Sequence, residues 1–501
     1  MKTLLEAIQT NNATTNNGAL THSTSLDANL DFFFLAGASR NMTEEDIIVI
    51  FMKAYNEDIL LAYKILLWAR DCRGGAGEKR IFQIICKFLE SKKSLPCKIS
   101  NSIDKYGYWK DYFEICNHND HSHIQYLADF FEQKESYGHN DPLHDVNLLA
   151  KWYPRSGPWF VKTHKELNIT PKKFRKILVR LTNVVETKMC NKEFDKINYS
   201  HVPSIAMNKY RNAFIKNDGT RFNDFIQDAL KGSEKINASV IFPHTLYDSL
   251  NNGNVVDLDI INAVEAQWQA LPNYMEGSKE RILPICDVSG SMTGLPMSVS
   301  VSLGLYVAER NEGIFKDAFL TFSDKPELCY VNGKNLFDKM QSISRAHWDL
   351  STDLLATFDL ILESAVRENI AVYEMPTKLL IISDMEFNEA CEYKDTNFES
   401  IKLKYEISGY KMPEIIFWNV NGRLGNIPAN KYDTNVGLVS GFSPAILKSI
   451  LLGEVETPAQ LMLRTVDTER YDIYLEEDLH NMDLIDDEHY VWSLPRYSES
   501  K

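Results

Sequence analysis

The sequence predicts a chain in two parts: an all-α half of helical repeats, solenoid- or ring-like, followed by an α/β half with a Rossmann-like sheet. Three observations predict it. Apolar residues recur at helical spacing up to about residue 250. Beyond about residue 255, short apolar runs alternate with amphipathic stretches. The charge balance also reverses there: residues 1–250 hold 33 Lys+Arg against 29 Asp+Glu, and residues 251–501 hold 21 against 40.

Residues 1–29 are rich in Asn and Thr, poor in large apolar anchors, and read as a mobile leader without a secretory h-region. A helical-repeat domain is expected over 30–250. Thr43 and Asp46 approximate a capping box, and Ile47, Ile48, Phe51, Ala54 and Tyr55 follow at helical spacing. Asn56-Glu-Asp58 breaks that helix, and a second is expected over 59–70. Further helices fit 78–91, 122–134, 171–188 and 202–216, paired with short breaks as in a HEAT-like solenoid, although no fixed period is visible. Asn251-Asn-Gly-Asn254 is a turn-forming boundary, and 257–272 reads as a helix with Ile260, Ile261, Val264 and Trp268 on one face.

In the second half, strands are expected near 281–287, 317–323, 378–384, 414–420 and 436–440, with helices near 295–310, 353–368 and 443–452. The domain is expected over 255–460, leaving 461–501 as an acidic tail. The first strand ends on Asp287, followed at two-residue steps by Ser289 and Ser291, which puts three hard oxygen groups on one loop at a strand's carboxyl end. This Asp-x-Ser-x-Ser loop resembles the metal-ion-dependent adhesion site of von Willebrand factor A domains. The resemblance implies two further ligands: Thr352, in His347-Trp-Asp-Leu-Ser-Thr-Asp353, and Asp384, ending Lys378-Leu-Leu-Ile-Ile-Ser-Asp384. Mg²⁺ is the implied ion, with Mn²⁺ or Ca²⁺ as alternatives, and one coordination position stays open to water or a partner's carboxylate. Asp353 reads as a helix cap.

The chain as a whole carries −15, yet residues 151–216 hold 15 basic and 4 acidic residues. Lys172, Lys173, Arg175, Lys176 and Arg180 fall within nine residues, and on a helix 172, 176 and 180 align at four-residue steps. Lys188, Lys209 and Arg211 extend the track, and His201 is placed to stack on or bond a base. Such a charge run alone is also what a solvated helix face looks like.

Eight scattered cysteines without a Cys-x-x-Cys pair argue for free thiols in a reducing compartment, hence a cytoplasmic protein, and a monomer is expected. His118, His121 and His123 lie in an Asn/Asp-rich stretch and read as a solvated loop. Arg73-Gly-Gly-Ala-Gly77 lacks the ending of a Walker loop, and no nucleophile elbow or zincin motif occurs, so no enzyme is expected.

Several motifs precede the metal-type loop in a recognisable order: Arg70-Asp-Cys-Arg-Gly-Gly-Ala-Gly-Glu-Lys-Arg80, Tyr106-Gly-Tyr-Trp-Lys-Asp111, Leu149-Ala-Lys-Trp152, Phe174-Arg-Lys-Ile-Leu178 and His201-Val-Pro-Ser-Ile-Ala206. Over roughly residues 30–455 the layout resembles the Ro-type (TROVE-like) RNA-binding proteins and a sister family of the same organisation. That resemblance implies a ribonucleoprotein component whose basic helical half binds small noncoding or misfolded RNA. A metal-dependent protein–protein adaptor is the alternative.

Overall fold

The computed structural model describes residues 11–137, 146–251, 257–321, 326, 328–343, 354–388 and 397–472. Two compact units divide the chain, and they do not follow the expected boundary near residue 250. One joins the described residues up to Ile81 to Asn198–Tyr471; the other is built on Phe82–Ile197. The helical half is therefore not one domain: its first and last helices belong with the sheet.

The sheet unit carries two strands of an N-terminal hairpin, β1 (Asn12–Thr14) and β2 (Leu20–His22), and six strands of a mixed sheet. These are β3 (Ile282–Cys286), β4 (Ala318–Thr321), β5 (Leu328–Tyr330), β6 (Lys378–Ser383), β7 (Glu414–Asn419) and β8 (Val436–Ser440), in spatial order β5-β4-β3-β6-β7-β8. All neighbours are parallel except β4 and β5. Strands β3, β4, β6, β7 and β8 are buried along their whole length, as expected of a parallel sheet covered on both faces. The helix Leu295–Arg310 lies over β3, β4 and β6. Gly304 permits that approach, because a Cβ there would meet the Cys286 sulfur at 2.1 Å.

The early helices Ala28–Ala36, Glu44–Glu57 and Ile59–Arg70 pack together, and the first of them lies against β8. Ser440 Oγ fastens it by donating to Phe33 O at 2.9 Å while accepting from the Gly37 amide at 2.9 Å. The glycine-rich turn after Arg70 is structural. A Cβ at Gly75 would meet Trp68 O at 2.1 Å. Buried Asp71 accepts from Arg470 Nε at 2.5 Å, Arg470 Nη2 at 2.9 Å and the Tyr471 hydroxyl at 3.0 Å, tying residues some 400 positions apart.

The leader is a correction. Residues 12–22 form a hairpin whose Thr15 hydroxyl donates to Phe387 O at 2.7 Å, while the His22 and Ile427 backbones exchange two 3.0 Å bonds. Its anchors are backbone groups hundreds of residues away, so low local hydrophobicity did not leave it loose.

The second unit is helical. His121–Tyr137 packs on Gly157–Glu166, and Val146–Trp152 packs on Pro171–Leu181 and Trp109–Ile115. Its core is aromatic: Tyr153 meets Phe113, Phe131 and Phe174 with centroids 5.2–5.5 Å apart in edge-on geometry. Tyr153 also donates to Thr163 Oγ1 at 2.6 Å. Two expectations change here. The helix over 171–188 breaks at 182–184 into Pro171–Leu181 and Val185–Cys190. His121 and His123 start a helix instead of lying in a loop, and His123 is buried, with Nε2 3.4 Å from Glu90 Oε1. Among the described residues no helix is long and apolar enough to cross a membrane.

Candidate functional site

Strand order fixes where a ligand site can form. β3 and β6 are adjacent and parallel, and the chain leaves them in opposite directions, toward β4 and toward β7. The crevice beyond the carboxyl ends of such a pair is the topological switch point of an open α/β sheet. Asp287 directly follows β3 and Asp384 directly follows β6.

Both carboxylates are almost fully buried, at 0% and 1% exposure. Asp287 Oδ1 accepts from the Ser289 amide at 2.9 Å, and Oδ2 from the Ser383 hydroxyl at 2.5 Å. The Ser289 and Ser291 hydroxyls lie 3.1 Å apart. Ser289 is buried, and Ser291 stands at the exposed lip. Asp384 Oδ1 accepts from the Glu386 amide at 3.2 Å, whereas its Oδ2 is buried without a hydrogen-bond partner. Burial raises the Asp287 carboxyl above its usual range; burial first and the Asp287 charge second raise Asp384 to about 6. Met385, wholly buried between Asp384 and Glu386, takes a left-handed φ of 64°, a strained geometry for a side chain of its size.

Four of the five expected oxygen ligands thus meet at one place: Asp287, Ser289, Ser291 and Asp384. Thr352, like Asp353, lies outside the described residues. Sequence reasoning missed two participants. Glu386 is 3% exposed, accepts from the Asn16 amide at 2.7 Å and from Asn426 Nδ2 at 3.2 Å, and so links the N-terminal hairpin to the loop after β6. Arg423 faces both acids, with Nη2 3.7 Å from Asp384 Oδ2 and Nη1 3.4 Å from Glu386 Oε1. Glu386 was findable, two residues beyond Asp384. Arg423 arrives from the loop after β7 with no local pattern to announce it.

The basic residues separate by surroundings. The helix Pro171–Leu181 contains no acidic residue and is capped by Thr170, whose hydroxyl accepts from the Lys173 amide at 3.2 Å. Phe174, Leu178 and Leu181 face the core, leaving Lys172, Lys173, Arg175, Lys176 and Arg180 exposed. Lys172, Arg175, Lys176 and Arg180 line an open concavity of about 380 Å³ around Val179, itself 70% exposed. Arg175 packs over the Phe160 ring at 4.9 Å. Among the described residues, no carboxylate forms an ion pair with Lys172, Lys173 or Lys176.

The outlying positions fare differently. Lys188 is half-buried and donates to Lys196 O at 2.9 Å. His201 and Lys209 are exposed, with the Lys209 ammonium 5.1 Å from the Tyr210 ring centre. Both lie in the sheet unit, not with Lys172–Lys188. Arg211 is a correction. It is 7% exposed, donates to Asn208 Oδ1 at 2.8 Å, and burial pushes its guanidinium down to about 10, so it offers no phosphate contact. The signal was present: Ser204, Met207, Arg211 and Phe214 share one buried helical stripe.

Comparison with known proteins adds three findings. Two domains of unknown function match, DUF2828 over residues 161–278 and DUF7788 over 281–485, meeting just ahead of β3. The uncharacterized protein L728 of Acanthamoeba polyphaga mimivirus is 32% identical over 504 aligned residues, covering 90% of this chain and 87% of that one. Among solved structures, the Ro (RSR) protein of Deinococcus radiodurans aligns over 89% of this chain and 100% of its own, at 11% identity and a TM-score of 0.38, too loosely to inform the site.

Proposed function

The chain belongs to the family of mimivirus protein L728, and we propose that it is a non-catalytic, Ro-type RNA-binding protein that grips phosphates through the helix Pro171–Leu181. The observation that carries this reading is the exposed face of five cations on a helix without a carboxylate, in a chain of net charge −15. An exposed basic face in an acidic protein concentrates polyanions locally and releases their counterions on contact. The motif order that resembles Ro-type proteins points the same way. The test is binding of single-stranded and structured RNA by the purified chain. With about five phosphates engaged, raising salt from about 50 to about 200 mM should weaken single-strand binding roughly 100-fold. Absence of binding at low salt would overturn the reading.

The α/β part is read as a von Willebrand factor A domain holding a divalent cation. Its strand order and its antiparallel edge strand β5 fit that architecture, and Asp384 Oδ2, buried without a hydrogen bond and only 3.7 Å from one Arg423 nitrogen, supports the ion. Asp287, Ser289, Ser291 and Asp384 would hold the cation, with Thr352 as the expected fifth ligand. The donors are all oxygen, which suits Mg²⁺. When bound, the ion supplies a hard Lewis acid at the mouth of the crevice, able to take a partner's carboxylate. That same orphaned oxygen favours the second reading, an adaptor that captures an acidic protein partner. Titration calorimetry with Mg²⁺ tests the ion; the salt-dependent RNA assay separates the two readings.

A further inference from the structure

We infer that Trp152 is a stacking platform for an unpaired nucleobase, an inference that rests on the RNA-binding reading. Six tryptophans fall among the described residues. Five of them are at most 9% exposed, while Trp152 is 42% exposed. Leaving an indole in water forfeits the burial that makes tryptophan useful in a core, at roughly 25 cal/mol per Å² of apolar surface. The helix Val146–Trp152 does not need the ring for anchorage, since Leu149 and Ala150 are already buried.

The ring's surroundings fit a nucleotide. The Lys151 ammonium stands 5.4 Å from the ring centre and is held by Glu186 Oε1 at 2.5 Å. The Lys110 ammonium stands 5.8 Å from it, and the Lys110 side chain is 51% exposed. An aromatic face flanked by cations takes a base on its π surface and a phosphate at its rim. The position also fits. Val146–Trp152 packs against Pro171–Leu181, and Arg155 Nη2 pins the ends of the two helices by donating to Ala150 O at 2.9 Å and Thr182 Oγ1 at 3.1 Å. The platform therefore lies at the carboxyl end of the basic helix. A strand laid along the cations delivers its bases there only if they are unpaired, because a duplex keeps its ring faces stacked inside. The basic helix then supplies affinity without regard to base, and Trp152 supplies preference for single strands.

The experiment uses the full chain with three probes of equal length: oligouridylate, an abasic strand and a blunt RNA duplex. Trp152→Ala should weaken oligouridylate binding about 5- to 100-fold. Abasic-strand affinity, duplex affinity and the salt slope should stay unchanged, and Trp152→Phe should restore most of the loss. Equal oligouridylate binding by parent and Trp152→Ala would overturn the inference while leaving the RNA reading intact, as would an equal loss on all three probes. A parent chain that binds none of the probes at low salt would overturn the RNA reading and the platform with it.

Discussion

Asp287 and Asp384 sit with almost no exposure at the sheet's switch point, whereas Lys172, Lys173, Lys176 and Arg180 project into solvent from a helix whose other face is core. Both regions gather like charge, but water treats them differently. The exposed cations keep their hydration, so the helix folds as readily with them as without them. The buried carboxylates have lost theirs, and the surrounding protein must answer them. It does so in part: Ser383 and the Ser289 amide serve Asp287, while Arg423 approaches Asp384 without hydrogen-bonding its buried Oδ2. On the metal reading, a bound cation would complete that answer. An exposed charge cluster implies a partner only when the rest of the chain argues for one.

The contrast can be broken most directly at Asp287. On the metal reading, Asp287→Ala should weaken Mg²⁺ binding at least about 100-fold by calorimetry, because it removes a buried charged ligand from the centre of the donor set. Unchanged binding would remove the ion from the account. A second variant sharpens the rule that the sheet unit's interior rejects uncompensated charge. His244 is 7% exposed, packs edge-on against Phe442 at 5.4 Å, and has no partner for Nδ1. Burial, aided by the Arg40 charge, pushes its imidazole down to about 3. The unfolded chain takes up a proton near pH 6.5 that the folded one refuses, so stability present above that pH is lost as pH falls toward 3. The loss from this group approaches about 1.4 kcal/mol per pH unit once the unfolded imidazole is protonated. Chemical denaturation of His244→Phe should show a flatter acid limb, and an unaltered limb would contradict the burial argument.

Smaller effects follow. Arg423→Gln removes a positive charge beside Asp384 and should tighten Mg²⁺ about fivefold, a change of ~1 kcal/mol in a partly screened pocket. Looser binding would mean that Arg423 organises the site instead of standing in for the ion. Lys172→Ala should change unfolding free energy by less than about 0.5 kcal/mol, as expected for a solvated charge.

The switch-point loops were legible in the sequence because each follows a short apolar run that leads to a carboxylate, Ile282–Cys286 before Asp287 and the four apolar residues 379–382, then Ser383, before Asp384. Burial on both faces makes such strands continuous in hydrophobicity, and the topology follows from their alternation with helices. β5 was missed: it has three residues, with Leu328 and Tyr330 half-exposed on the sheet's edge, too little to imprint a pattern. The hairpin over 12–22 was missed because its partners, Phe387 and Ile427, are distant in sequence. Neither does local pattern reveal that Phe82–Ile197 forms a unit of its own between segments that complete the sheet unit. Arg211 was misplaced because charge was counted ahead of the apolar stripe on which it lies.

The central claim is that the Pro171–Leu181 face binds RNA through its phosphates. It is tested most directly by the salt dependence of single-strand affinity for the parent and for Lys172→Ala/Lys176→Ala/Arg180→Ala. The account predicts weaker binding at every salt concentration and a log–log slope shallower by about two, three lost contacts at roughly 0.7 each. Parent-like affinity and an unchanged slope in the triple variant would contradict it.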